Sequence, residues 1–279
     1  LSMKLCEVDR TKLSPMMAQY MEIKDQYKEE LVFYRLGDFY EMFFDDALIA
    51  SRELELTLTG RVAGLEERVP MCGVPHNNVK PYIEKLVNKG YRVAICEQLE
   101  DPKTTKGMVK RGIVDVISKG TIADNDLLND KDASYIASIL FFNDSTLLTI
   151  LDISTGYLAS MSIENNEETL INEILGLNLK EVIFVDNLNT ALIDLLKNTY
   201  NIEVTISHEF LWDKYEYLFS TISDARVKSG VAHLFYYLDH RQLKDLSHIN
   251  KINYIKKNDY LEMDIHSIRN LELVETLRL

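Results

Sequence analysis

The spacing of apolar residues in the first 120 positions switches between the helical and the extended period. Ser14-Pro15-Met16, followed by Met17, Tyr20, Met21 and Ile23, predicts a helix with Ser14 as its N-cap and Pro15 at its first position. Residues 31–36 read as a strand stopped by Gly37-Asp38. From residue 42 to residue 54, Phe43, Ala47, Ala50 and Leu54 recur at helical spacing, with Asp45, Asp46 and Arg52 outside. Residues 56–58 are short and β-like, and residues 60–78 form a loop-rich stretch punctuated by Gly60, Gly64, Pro70, Gly73 and Pro75. A helix is predicted over 79–89, closed by Gly90, then strands over 91–96 and 113–117. This order implies a mixed-sheet α/β domain over residues 3–119.

Residues 120–132 are polar and rich in breakers, which marks a linker. Three strand-like runs follow, at 134–142, 146–153 and 157–163, joined by Asn143-Asp144-Ser145 and Ser154-Thr155-Gly156. That is an antiparallel meander. Helix–strand alternation comes next, with helices near 167–175 and 190–199 and strands at 181–185 and 203–206. The layout matches a ribonuclease-H-like domain over 133–258, with helical pattern dominating its end, notably over 227–238. Residues 259–279 keep helical spacing and stop without a cap, as in the start of a longer helical domain.

Composition places the chain among globular proteins, with 46% hydrophobic and 27% charged residues. The longest apolar runs are strand-sized, and nothing resembles a membrane span or a secretory signal. Three scattered cysteines, Cys6, Cys72 and Cys96, indicate neither a disulfide framework nor a zinc site. They suit a reducing cytoplasm, with Cys72 and Cys96 read as core. His208, His233, His240, His248 and His266 are read as ordinary structural or surface histidines, and Trp212 as core.

The net charge of −13 speaks against nucleic-acid binding until its distribution is considered. Residues 1–120 carry 18 basic and 19 acidic residues; of the totals of 31 and 44, only 13 basic but 25 acidic residues remain beyond them. The first domain is therefore balanced and the second strongly acidic. Lys103, Lys106, Lys110, Arg111 and Lys119 oppose only Asp115 over 103–119, which makes that run the best local candidate for phosphate contact.

Taken alone, Phe39-Tyr40-Glu41 reads as a strand-to-helix junction, with core aromatics and a carboxylate favoured by a helix N-terminus. Its neighbours change that reading. Ser14-Pro15-Met16-Met17 with Gln19-Tyr20, the run from Phe33 through Gly37-Asp38-Phe39-Tyr40-Glu41 to Ala47, Pro70-Met71-Cys72-Gly73-Val74-Pro75, Val93-Ala94-Ile95-Cys96-Glu97-Gln98, Asp101-Pro102, Lys106-Gly107 and Gly120-Thr121 together resemble the mismatch-binding domain of the MutS family of DNA mismatch repair proteins. Leu151-Asp152-Ile153-Ser154-Thr155-Gly156 resembles the family's connector domain, and Arg269-Asn270-Leu271-Glu272-Leu273 the start of its helical core.

The resemblance implies that Phe39 enters the minor groove and stacks on a mispaired base while Glu41 hydrogen-bonds the displaced one. A wedge suits that task, because mispaired bases are the least costly to unstack and the minor groove carries only a degenerate sequence code. It also implies DNA contacts for Leu36, Arg61, Met71, Gly73, Val74, Pro75, His76, Lys110, Arg111 and Lys119. Two departures from the family pattern weaken the backbone contacts: His76-Asn77 replaces a usual Tyr-His, and Asp115 and Lys119 stand where Arg and Pro are common. For the full-length family member the resemblance implies an ATPase using ATP and Mg, a homodimer, a MutL partner reached through the connector, and a bacterial cytoplasmic, nucleoid-associated location.

No enzyme is expected of this stretch itself, and no cofactor or metal. Gly107-Met108-Val109-Lys110-Arg111-Gly112 starts a phosphate-loop pattern, but Ile113-Val114 follows where Lys-Ser/Thr is required. Two alternatives stay open: an interaction module with little DNA binding of its own, and a metal-dependent nuclease built on Asp152 and Asp186.

Overall fold

The computed structural model describes residues 8–100, 105, 107–122, 135–185 and 189–255. The chain divides into two units, with the division between Lys119 and Gly120. Residues 123–132 and 259–279, together with Cys6, Lys103, Lys106, Asp186 and His266, lie outside the described residues.

In the first unit, helix α1 (Pro15–Gln26) starts behind Ser14, with Pro15 in its first turn. Strand β1 (Leu31–Leu36) turns at Gly37-Asp38 into strand β2 (Phe39–Phe43), which leads directly into helix α2 (Phe44–Leu54). The chain continues through β3 (Thr59–Arg61), β4 (Val69–Pro75), α3 (Lys80–Asn88), β5 (Val93–Gln98) and β6 (Arg111–Ile117). The strands form one mixed sheet in the order β3-β4-β2-β1-β5-β6, with only β1 and β5 parallel. Met17, Tyr20, Met21 and Ile23 of α1 bury one face, against Val32, Tyr34, Phe43, Ala94, Cys96 and Val116. Cys72 points from the other face to α2, its thiol 3.5 Å from the Ala47 carbonyl.

Two expectations are corrected here. Phe39-Tyr40-Glu41 is strand, not a strand-to-helix junction, because Gly37-Asp38 closes a hairpin and α2 begins only at Phe44. Phe44 makes that change of direction without a loop by adopting φ 52°, a costly conformation for an aromatic residue. Asp46 faces inward rather than outward: Lys24 Nζ lies 2.9 Å from its Oδ1, while the Val32 N–H and Tyr20 hydroxyl donate to Oδ2. A buried carboxylate persists only when paired and hydrogen-bonded in this way.

The second unit holds a second mixed six-stranded sheet, ordered β11-β10-β7-β8-β9-β12. Strands β7 (Tyr135–Phe141), β8 (Thr146–Asp152) and β9 (Tyr157–Ile163) form the antiparallel meander. Helix α4 (Glu167–Gly176) leads to β10 (Leu179–Phe184), which runs parallel to β7. Helix α5 (Thr190–Asp194) and a π turn over Leu195–Thr199 lead to β11 (Glu203–Ile206), parallel to β10. After α6 (Glu216–Phe219) and α7 (Ala225–Tyr236), a short β12 (Ile252–Tyr254), unexpected from the sequence, joins β9 in parallel. Val231, Leu234 and Phe235 of α7 pack on one face; Leu170 and Ile174 of α4 and Leu192 of α5 belong to the core on the other.

Gly120-Thr121, the start of the expected linker, is tied into the second unit. The Gly120 N–H donates to Glu181 Oε2 over 3.1 Å, and the Thr121 hydroxyl to Gln242 Oε1 over 3.1 Å. Trp212 is not core: it is 57% exposed and stacks on Phe210, their rings 5.9 Å apart. His233 is a core histidine, its ring nitrogens 2.7 Å from Ser138 Oγ and 2.8 Å from the Ser207 carbonyl.

Candidate nucleic-acid interface

The β1–β2 turn presents the candidate residues. Leu36 pairs with Phe39 across Gly37-Asp38, and only Gly37 takes a positive φ, 56°, as in a type II′ hairpin turn. The next strand adds Pro75 directly opposite Phe39. Leu36, Phe39 and Pro75 thus form an apolar row at one end of the sheet. Phe39 is its prominent member, 46% exposed, whereas Tyr40 beside it is 6% exposed and faces the other side. Because β2 is paired on one side by β1 and on the other by β4, the backbone under this exposed ring is held at both edges.

The turn is braced from behind. Arg35 Nε donates to the Gly37 carbonyl over 2.6 Å, and its guanidinium lies 5.6 Å from the centre of the Tyr40 ring. Tyr40 donates its hydroxyl to Glu97, which also accepts from Arg35 Nη1. His76 closes the other flank: its N–H donates to the Asp38 carbonyl over 2.9 Å. Arg35, Tyr40 and Glu97 were not singled out as site residues. Arg35 and Tyr40 are register partners, so reading Gly37-Asp38 as a hairpin turn would have placed them together.

Glu41 follows Phe39 on the same face, since side chains alternate along a strand. Opposite it stands Gly73, and Arg61 Nη1 lies 2.5 Å from its Oε2. Burial raises the Glu41 pKa above the usual carboxylate value, against the opposing influence of Arg61. Tyr34, its partner on β1, is pushed up to about 12, mainly by burial. Met71 lies on this face too, half-buried opposite Phe43.

The remaining candidates separate. Val74 is fully buried on the opposite face, so its side chain belongs to the core. Arg111 packs its guanidinium 5.2 Å from the centre of the Tyr34 ring and donates to the Arg35 carbonyl over 2.8 Å, bracing the sheet end. Lys110 precedes it at the same end and is exposed. Lys119 lies past Ile117, which pairs with Val93, itself level with Leu31. That is the far end of β1, about 17 Å of strand from the Phe39 turn at roughly 3.3 Å per residue. In the second unit, Asp152 accepts from the Ser154 N–H and hydroxyl and the Thr155 N–H, so it caps a turn. Among the described residues, no group of three or more His, Cys, Asp or Glu is placed to hold a metal ion. No helix among them is long and apolar enough to cross a membrane.

Comparison with known proteins places the chain among relatives. Residues 14–126 match the family described as MutS domain I. The DNA mismatch repair protein MutS of Listeria welshimeri is 44% identical over 270 residues, covering 96% of this chain and 31% of the relative. Its namesake from Alkaliphilus oremlandii is 44% identical over 287 residues, covering 96% and 33%, and that from Clostridium botulinum 42% over 282 residues, covering 95% and 30%. The chain thus spans about a third of the length of these relatives. It belongs to the MutS family and corresponds to an amino-terminal portion of its members, with the mismatch-recognition domain, MutS domain I, at its start.

Proposed function

We propose that this chain recognises mispaired or unpaired bases in double-stranded DNA by inserting Phe39 from the minor groove, with Glu41 hydrogen-bonding the displaced base. The observation that carries this reading is the exposed Phe39 at the end of a doubly paired strand, with Glu41 next along the same face. Unstacking a base step costs on the order of a few kcal/mol, which only a firmly held apolar side chain can impose. A mispair lowers that cost, so deformability supplies the discrimination. Leu36 and Pro75 flank the wedge as an apolar ledge, and exposed Lys110 is the cation best placed for a phosphate. The raised Glu41 pKa favours a carboxyl that donates as well as accepts once phosphates surround it.

The second unit serves as the connector that relays binding to the ATPase of the full-length protein and to MutL. Its meander followed by parallel β10 and β11 supports the ribonuclease-H-like reading. The domains then run 3–119, a linker at 120–132 whose first two residues attach to the second unit, the connector at 133–258, and the start of the helical core at 259–279. The full-length protein acts as a cytoplasmic homodimer using ATP and Mg. The decisive test compares mismatched with paired duplex in the full-length protein: Phe39→Ala removes the preference and leaves weak, salt-sensitive binding. Undiminished discrimination by that variant would refute the proposal.

A further inference from the structure

Arg61 ends the edge strand β3, with β4 between it and β2. Its guanidinium nevertheless meets Glu41, and the contact uses one carboxylate oxygen, Oε2. Among the described residues, Glu41 Oε1 accepts no hydrogen bond. Gly73 lies opposite Glu41, and a Cβ there would stand 3.5 Å from Glu41 Cγ. The glycine thus leaves room for the carboxylate to lie against the sheet. Both side chains are partly withdrawn from water, Glu41 at 17% and Arg61 at 35% exposure, so this pair is less screened than an ordinary surface ion pair.

We propose that Arg61 is a positioning residue for mismatch reading: it pins one oxygen of Glu41 over Gly73 and leaves the second for the edge of a displaced base. The inference rests on the reading of Glu41 as the base-contacting carboxylate. An arginine suits this role, because its planar fork fixes direction as well as charge. The other titratable or charged groups described on this face are Tyr34 of β1, Cys96 of β5, Arg111 of β6 and, packed onto it from α1, Tyr20 and Lys24, the last held by Asp46. Arg111 is committed to the Tyr34 ring and the Arg35 carbonyl, and Tyr34 donates to Gln19 Oε1 of α1. Arg61 is therefore the cation that balances Glu41. With it removed, a half-buried carboxylate keeps its desolvation and loses its counter-charge, so it binds a proton at higher pH and samples more rotamers.

The test has a DNA-free and a DNA-bound arm. Carboxyl-carbon NMR of the glutamate-labelled chain, with the Glu41 resonance assigned through Glu41→Gln, gives the titration midpoint directly. Arg61→Met moves that midpoint to higher pH, while Arg61→Lys, which keeps the charge, holds it near the wild-type value and guards against misfolding. In the full-length protein, Arg61→Met lowers the ratio of mismatched to paired duplex affinity several-fold, and has no further effect in a Glu41→Ala background. An unmoved midpoint overturns the inference. So does a moved midpoint with undiminished discrimination, when Glu41→Ala alone does lose it; the reading of Glu41 then stands. Undiminished discrimination by Glu41→Ala overturns both.

Discussion

Gly73 faces Glu41 across the β2–β4 ladder so closely that a Cβ would lie 3.2 Å from the Tyr40 carbonyl oxygen. That is tighter than an ordinary van der Waals contact, and the opposing atom is backbone. Alanine here forces a shift of a few tenths of an ångström in β2, and valine adds branches toward the Glu41 side chain. Gly73→Val is expected to destabilise the first unit by about 1–3 kcal/mol and to weaken mismatch discrimination more than paired-duplex binding. Paired denaturation and anisotropy titrations measure the two effects; wild-type discrimination in a folded Gly73→Val protein would show that the spacing is irrelevant.

Gly37 offers a cleaner backbone experiment, because nothing lies within 4 Å of where its Cβ would be, while its φ is +56°. Substitution therefore tests conformation without a clash. Gly37→Ala should cost about 1–2 kcal/mol, the penalty of the left-handed region for an L-residue, and Gly37→Asn distinctly less. Equal denaturation midpoints for the two variants would contradict the turn geometry.

The Lys24–Asp46 pair lies beneath α1, with both side chains nearly inaccessible at 7% and 3% exposure. Lys24→Met leaves a buried carboxylate without its cation and should cost about 3–5 kcal/mol, whereas replacing both residues by apolar ones recovers much of that. Burial already raises the Asp46 pKa, with Lys24 opposing it. In the Lys24→Met protein the folded-state pKa rises further, so stability is greatest at low pH and falls as pH climbs through it. Urea melts across pH test the sign, and a loss independent of pH would argue against the buried charge.

His233 gives the second unit the opposite dependence. Burial lowers its pKa below the usual 6.5, so folding favours the neutral ring. The stability it contributes is present above about 6.5 and is lost as pH falls through the lowered folded value. His233→Gln, which can still reach Ser138 or the Ser207 carbonyl, should flatten the acid limb of the second unit's unfolding curve. An unchanged limb would assign the acid sensitivity elsewhere.

The long elements were legible because their periods are. The α1 pattern, the β7–β9 meander and the β10 and β11 strands repeat their apolar residues over enough positions to identify themselves. What escaped were features set by pairing between distant segments. Nothing in residues 37–43 alone separates a helix start from a second hairpin strand; the register with β4, some thirty residues on, decides it. Asp46 looked like a solvent-facing helix residue because its partner Lys24 lies on another helix. Trp212 was assigned to the core by its type, although its ring rests on Phe210 at the surface. Family resemblance is what singles out Phe39 and Glu41 as candidates, but the Arg61–Glu41 contact was not legible, since it joins an edge strand to a central one.

On the proposed reading of Phe39 as a wedge, the pairing of β2 on both edges also decides where compliance resides when the ring meets a stacked base. The load passes from the ring into two ladders and, through α1 and α2, into both halves of the first unit's core. A wedge mounted on a free loop would fold back and register nothing. Mounted here, the wedge we propose would yield less than the duplex, and the softness it gauged would be that of the nucleic acid.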